Sequence, residues 1–249
     1  MIDSLSCHRN PLKTTILEVI ANEKSVIEIL SKYVEVDRTF VERWRKFEQI
    51  QKERFSRVET LREYEGWFVR EILRSSAEAI FVSSSMSVRY LDYFYSEPFN
   101  KMVFCNRGVN GIDGTFSTAL GVSTRKKGNT ILITGDLAFI HDMNGMVLAK
   151  THELPLVVVL FNNDGGGIFN YLPQSGTETF NYLFTTSHGL EFESIIRGYG
   201  HHYKALSQGE NFLEVLNIAL ERKSVTVIEI KTDREKSVET TKKLIRGEM

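Results

Sequence analysis

The amino-acid sequence predicts an α/β protein built on a doubly wound parallel sheet flanked by helices. Three observations carry this prediction. Apolar, β-branched runs recur in the second half: Thr130–Thr134 reads Thr-Ile-Leu-Ile-Thr, and Pro155–Phe161 reads Pro-Leu-Val-Val-Val-Leu-Phe. Helical patterns separate these runs. Glycine and proline are both absent from Leu12 to Glu65, whereas glycine is frequent from Gly108 to Gly200. Unbroken β-branched runs suit parallel strands buried on both faces. Strand–helix–strand alternation implies right-handed crossovers.

The elements follow in order. A short β-type run, Thr14–Ile20, precedes a helical pattern over Glu23–Tyr33. From Thr39 to Arg74 the apolar residues Phe40, Val41, Trp44, Phe47, Ile50, Phe55, Val58 and Leu61 recur mostly at helical spacing, which predicts one or two amphipathic helices. Glutamates interleave with the lysines and arginines there, so the outer face reads as solvated rather than as a reader of nucleic acid. Strands are expected at Ala79–Ser83, Met102–Cys105, Thr130–Thr134, Pro155–Phe161 and Val225–Ile230. Helices are expected at Val88–Tyr95, Gly114–Gly121, Asp142–Thr151, Glu191–Tyr199 and Phe212–Arg222.

Composition excludes several classes. Among 249 residues, Lys+Arg is 31 and Asp+Glu 32, a formal net charge of -1. That balance argues against a nucleic-acid or polybasic membrane surface. No apolar run reaches the roughly 18 residues of a membrane span. The opening MIDSLSCHRN lacks the apolar core of a signal peptide. Two cysteines, Cys7 and Cys105, with no CxxC pair give neither a disulfide framework nor a zinc site. A cytoplasmic location is the expectation.

The chemistry concentrates at one crossover. The run Thr130–Thr134 ends in Gly135-Asp136-Leu137, and Pro155–Phe161 ends in Asn162-Asn163-Asp164-Gly165-Gly166-Gly167. Taken singly, each is an ordinary turn sequence. Taken together, neighbouring parallel strands would deliver Asp136 and Asn163 to one sheet edge, where ligands of such sheets gather. Carboxylate, amide and carbonyl oxygens are hard ligands that suit Mg²⁺. Glycine lets a backbone approach a phosphate closely. The local chemistry therefore reads as a Mg²⁺–diphosphate site.

This spacing resembles the thiamine-diphosphate motif of 2-oxo acid decarboxylases and their relatives. Ser83–Arg89 (SSSMSVR), Asn106–Gly114 (NRGVNGIDG), Asn162–Pro173 (NNDGGGIFNYLP) and Thr186–Phe192 (TSHGLEF) resemble, more narrowly, the 2-succinyl-5-enolpyruvyl-6-hydroxy-3-cyclohexene-1-carboxylate (SEPHCHC) synthases of menaquinone biosynthesis. The resemblance implies thiamine diphosphate with Mg²⁺ (or Mn²⁺), the metal held by Asp136, Asn163 and the Gly165 carbonyl. It places Gly135, Leu137, Ala138 and Ile168 against the cofactor. Arg89 and Arg107 would pair with substrate carboxylates, Ser85 would bond substrate or cofactor or cap a helix, and Ile112 and Phe169 would pack on the thiazolium or in the core. His188 is expected to be structural.

By the same resemblance, the substrates are 2-oxoglutarate and isochorismate, and the complete enzyme is a homo-oligomer, dimer or tetramer. Residues 1–60 would be the end of a central domain with its linker helix, and 61–249 the diphosphate-binding domain of the thiamine-diphosphate-binding fold. The activating glutamate belongs to a pyrimidine-binding domain with no counterpart here, so turnover is expected to need that domain in cis or in trans. Two departures stand out: Ser83-Ser84-Ser85 replaces the more usual GNS, and Leu137 stands where many relatives carry glycine. Another 2-oxo acid decarboxylase or acetolactate-type synthase, or a non-catalytic binding module, are the alternative readings.

Overall fold

The computed structural model describes residues 2–4, 14, 17–35, 37–95, 100–126 and 129–249. Cys7 and, of the expected Thr14–Ile20 run, residues 15 and 16 lie outside them. The chain divides into two compact units, Met1–Ile50 and Gln51–Met249. The expected boundary at residue 60 falls inside the second unit, because Val58 is fully buried in that unit's core.

In the first unit, β1 (Ile2–Asp3) pairs in parallel with β2 (Val19–Ile20). Helix α1 (Glu23–Leu30) starts where the Asn22 side chain accepts from the backbone N–H of Lys24 and Ser25. Helix α2 (Arg38–Ser56) runs across the boundary. Its apolar residues Phe40, Trp44 and Phe47 are exposed rather than buried. Among the described residues the first part of the predicted stripe is not covered, whereas Phe55 and Val58 further along meet the core.

Among its described residues the second unit carries six strands: β3 (Ala79–Val82), β4 (Met102–Phe104), β5 (Thr130–Gly135), β6 (Leu156–Asn162), β7 (His202–Ala205) and β8 (Val225–Lys231). They form one sheet in the order β4-β3-β5-β6-β8-β7, with every pairing parallel. Successive side chains along a strand point to opposite faces. On β5 and β6, Ile131, Ile133, Val157 and Val159 join one core, while Leu132, Val158 and Leu160 join the other. The first core is closed by α3 (Glu65–Arg74), α4 (Met86–Phe94), α9 (Phe212–Leu220) and α10 (Arg234–Arg246), through Phe68, Tyr90, Phe212 and Leu244. The second is closed by α5 (Thr115–Arg125), α6 (Asp136–Asp142), α7 (Met146–Thr151) and α8 (Phe192–Gly198), through Phe116, Phe139, Met146 and Phe192. Cover on both faces explains why the strands read as continuous apolar runs.

Several boundaries shift. The expected helix at Asp142–Thr151 is the shorter α7, preceded by a 3₁₀ turn at Met143–Gly145, and a separate helix, α6, stands before that turn. Helix α10, which lacks a strong apolar run, was not among the predicted helices. Its marks are the Asp233 cap and Gly247, whose φ of 74° ends it. The order of strands also fixes where a ligand can enter. The chain leaves β3 toward β4 on one side and returns to β5 on the other, so the crevice at the carboxyl ends of β3 and β5 is the topological switch point.

Candidate active site

A cleft of about 300 Å³ opens at this switch point. Its walls are the loop after β3, the turn from β5 into α6, and the glycine-rich loop after β6. Of the residues expected at the site, Ser85, Ile112, Gly135, Asp136, Leu137, Ala138, Asn163, Gly165, Ile168 and Phe169 line it. Arg89 and Arg107 do not. Arg89 turns its guanidinium onto the Ser85 carbonyl at 2.6 Å, and Arg107 is exposed in the turn after β4. Ser85 occupies the N-cap position of α4 but makes no side-chain capping bond; its φ of 77° is left-handed. Asn110, Asp164 and Thr186 also take left-handed φ in the loops on this side. Such backbone is costly and persists where the surroundings over-determine it.

Asp136 is 2% exposed at the first turn of α6. Its Oδ2 accepts from the backbone N–H of Asn163 (3.1 Å) and Gly165 (2.9 Å), and its Oδ1 from Leu137 (2.6 Å). The Leu137 N–H is therefore already engaged. Residue Gly135 of β5 lies beside Phe161 of β6, and this register brings the two motifs together. His188 closes the far side. Its Nδ1 accepts from the Leu190 N–H at 3.0 Å, so Nε2 carries the proton, and Nε2 lies 3.3 Å from Asp136 Oδ2. The side chain is 10% exposed.

The glycine-rich loop is pinned from two directions. Asp164 Oδ1 accepts from the N–H groups of Gly189 (2.9 Å) and His188 (3.0 Å). The Gly189 bond leads in holding the Asp164 carboxyl below the usual carboxylate range. Arg234 Nη1 donates to the carbonyls of Asn163 (3.1 Å) and Asp164 (3.2 Å). Gly165 has φ 137°, and a Cβ there would stand 2.1 Å from the Thr185 carbonyl oxygen.

Sequence reading did not single out Glu65, Thr232 or Arg234. Glu65 opens α3 and is 2% exposed. Its Oε1 accepts from Thr232 Oγ1 (2.6 Å) and from Asn163 Nδ2 (3.0 Å). Burial raises its pKa, with these bonds offsetting part of the shift. No local motif marks Glu65, since its partners lie far along the chain. The available signal was a carboxylate immediately before the uncharged run Gly66–Val69.

The donor set suits a hard cation. Asn163 Oδ1 is buried and has no hydrogen-bond partner. It shares the cleft with the Asp136 carboxylate and with Gly165, whose carbonyl receives one bond, from the Gly167 N–H at 3.0 Å, and keeps a second lone pair. An orphaned buried acceptor near a carboxylate is what a divalent ion with oxygen preference would satisfy. Among the described residues no group of three or more His, Cys, Asp or Glu is placed to hold a metal. No described helix is long and apolar enough to cross a membrane.

Comparison with known proteins agrees with this geometry. Residues 84–230 match the family model for the thiamine pyrophosphate enzyme, C-terminal TPP binding domain. SEPHCHC synthase of Lactococcus lactis subsp. cremoris (strain SK11) is 40% identical over 247 residues, covering 97% of this chain and 44% of that protein. The Bacillus cytotoxicus synthase is 36% identical over 251 residues, covering 98% and 43%. The chain thus spans less than half the length of these curated relatives. Among solved structures, the thiamine diphosphate-dependent 4-hydroxybenzoylformate decarboxylase of Rhodococcus jostii RHA1 shares the fold, with TM-score 0.58 at 18% identity over 68% of this chain and 32% of that one. The chain, with its parallel sheet and its Asp136–Asn163 cleft, belongs to the thiamine pyrophosphate enzyme family, whose C-terminal TPP binding domain it carries at residues 84–230.

Proposed function

We propose that this chain is the diphosphate- and metal-binding part of a SEPHCHC synthase, which decarboxylates 2-oxoglutarate and joins the succinyl unit to isochorismate. The observation that carries the reading is the orphaned, buried Asn163 Oδ1 beside the Asp136 carboxylate at the switch point. Asp136, Asn163 and the Gly165 carbonyl would hold Mg²⁺, or Mn²⁺. Gly135 and Ala138, at the start of α6, would face the diphosphate, and Leu137 and Ile168 would pack against the cofactor. The bound cofactor supplies an electron sink for loss of CO₂ from a 2-oxo acid.

The chain's own residues orient and shield. Ile112 and Phe169 form an apolar wall that keeps water from the reacting carbon, and Ser85 presents a hydroxyl at the same mouth. Arg89, in the first turn of α4, and Arg107, in the turn after β4, stand outside the cleft, where they would meet the carboxylates of the two acidic substrates. Among the described residues the carboxylates lining the cleft are Glu65 and Asp136, and both are engaged in hydrogen bonds. Neither is free to activate the cofactor's pyrimidine ring. That group would come from a pyrimidine-binding domain, in cis or in trans, within a homo-oligomer.

Calorimetric titration of thiamine diphosphate, with and without Mg²⁺, tests the site. Binding that requires Mg²⁺ and disappears in Asp136→Ala is expected; Mg²⁺-independent binding, or binding unaltered in that variant, refutes it. With a pyrimidine-binding domain supplied, consumption of 2-oxoglutarate in preference to pyruvate tests the substrate assignment, and a preference for pyruvate refutes it.

A further inference from the structure

We infer that Glu65 is the positioning residue of the cation site: it fixes which end of the Asn163 side-chain amide faces the metal. This rests on reading the cleft as a cation–diphosphate site. An asparagine amide has a donor end and an acceptor end of nearly equal shape. Only the acceptor end can ligate a cation; the flipped amide would present two N–H groups to it. The flip must therefore be decided by something other than the metal's own packing space.

Glu65 decides it from behind. Its Oε1 accepts from both Thr232 Oγ1 and Asn163 Nδ2, so Oε1 is an acceptor whichever state the other oxygen takes. An Oδ1 turned toward it would face a lone pair. With Nδ2 held there, Oδ1 is the end left without a partner, and it is buried. Gly167 keeps the other side open: a Cβ there would stand 3.1 Å from Asn163 Nδ2. The carboxylate sits on α3, the amide after β6 and the hydroxyl after β8, so three separate elements converge on one planar group. Partners behind metal ligands commonly change metal affinity about 10–100-fold when removed.

The test compares Mg²⁺-dependent thiamine diphosphate binding by calorimetry in the full chain and in Glu65→Ala, Glu65→Gln, Asn163→Asp and the double variant Glu65→Gln/Asn163→Asp. Circular dichroism checks that each folds. Glu65→Ala should weaken binding by at least about 10-fold, and Glu65→Gln, which keeps an acceptor oxygen, should recover most of that loss. Asn163→Asp sets two carboxylates against each other, and the double variant restores the bond with donor and acceptor exchanged, so it should bind about 10-fold tighter than Asn163→Asp alone. Folded Glu65→Ala that binds like the unaltered chain overturns the inference, as does a double variant no better than Asn163→Asp. A second readout needs no cofactor: the Asn163 side-chain NH₂ signals, identified by their loss in Asn163→Asp, should exchange slowly with solvent, and quickly in Glu65→Ala. Binding without such protection overturns the role of Glu65 alone. Protection without any Mg²⁺-dependent binding overturns the cofactor reading, and the metal-directed role of Glu65 with it.

Discussion

Replacing Gly165 by alanine should unfold the site from within, while the same change at Gly135 should leave the fold alone. Gly165 has φ 137°, a region that residues with a Cβ avoid at a cost of about 1–3 kcal/mol. The added Cβ would lie 2.1 Å from the Thr185 carbonyl oxygen, which already accepts from the Gly166 N–H at 2.7 Å. Relieving that overlap requires moving backbone in a packed loop, which adds about 1–3 kcal/mol. The sum centres on about 4 kcal/mol, or a fall in Tm of about 8–16 °C for a chain of this size. Gly135 has φ -86° and open space where its Cβ would go, so Gly135→Ala should shift Tm by no more than about 2 °C. It should nonetheless impair thiamine diphosphate binding, since Gly135 lines the cleft and the new methyl would take up open space there. Thermal melts followed by circular dichroism and calorimetric titration read the two effects. The reasoning is refuted if Gly165→Ala melts within about 2 °C of the unaltered chain, or if Gly135→Ala falls as far as Gly165→Ala.

Other perturbations probe other parts of the argument. Asp233 caps α10 by accepting from the N–H groups of Glu235 and Lys236, so Asp233→Ala should cost about 0.5–2 kcal/mol in urea unfolding, and Asp233→Asn much less. Phe116 is fully buried against Phe139, and Phe116→Ala should cost about 3–5 kcal/mol in the same assay; a loss under about 1 kcal/mol would mean that the second core is not packed as described. Desolvation, then the charge of Arg222, lowers the His202 pKa below 6.5, so an NMR titration should place its midpoint below that value and Arg222→Gln should raise it. A histidine with a lowered folded-state pKa supports the fold while neutral, so its contribution is present above the unfolded value and is lost as pH falls toward the folded one. Stability of the unaltered chain should therefore fall more between pH 7 and pH 5 than that of His202→Asn.

The parts of this molecule legible in the sequence are those governed by local pattern. Ile131–Ile133 and Val157–Val159 announce buried strands because both faces of the sheet are covered. Gly135-Asp136 and Asn162–Gly167 announce a shared edge because a crossover of that length joins adjacent strands, and β5 and β6 are indeed paired. Helix α10 escaped because its residues are mostly charged and only its caps mark it. Glu65 and Thr232 escaped for a different reason. The bonds that join Glu65 to Asn163 and to Thr232 span 98 and 167 residues and exist only once the sheet has closed. Arg89 shows the converse: its motif is plain in the sequence, yet its guanidinium is bonded to the Ser85 carbonyl and not turned into the cleft.

The same Glu65 contacts bear on when the site exists during folding. Two of its bonding partners lie 98 and 167 residues further along the chain, so making those bonds means closing two long loops. The cation ligands themselves lie within residues 136–165, but the Glu65 contacts that orient the Asn163 amide wait for distant parts of the chain. A ligand that binds only the finished arrangement stabilises the whole domain rather than one loop, by about 2.7 kcal/mol when it is present at a hundred times its Kd. Cofactor supply would then act on the protein's lifetime as well as on its chemistry, because a chain short of cofactor spends more of its time open to proteases.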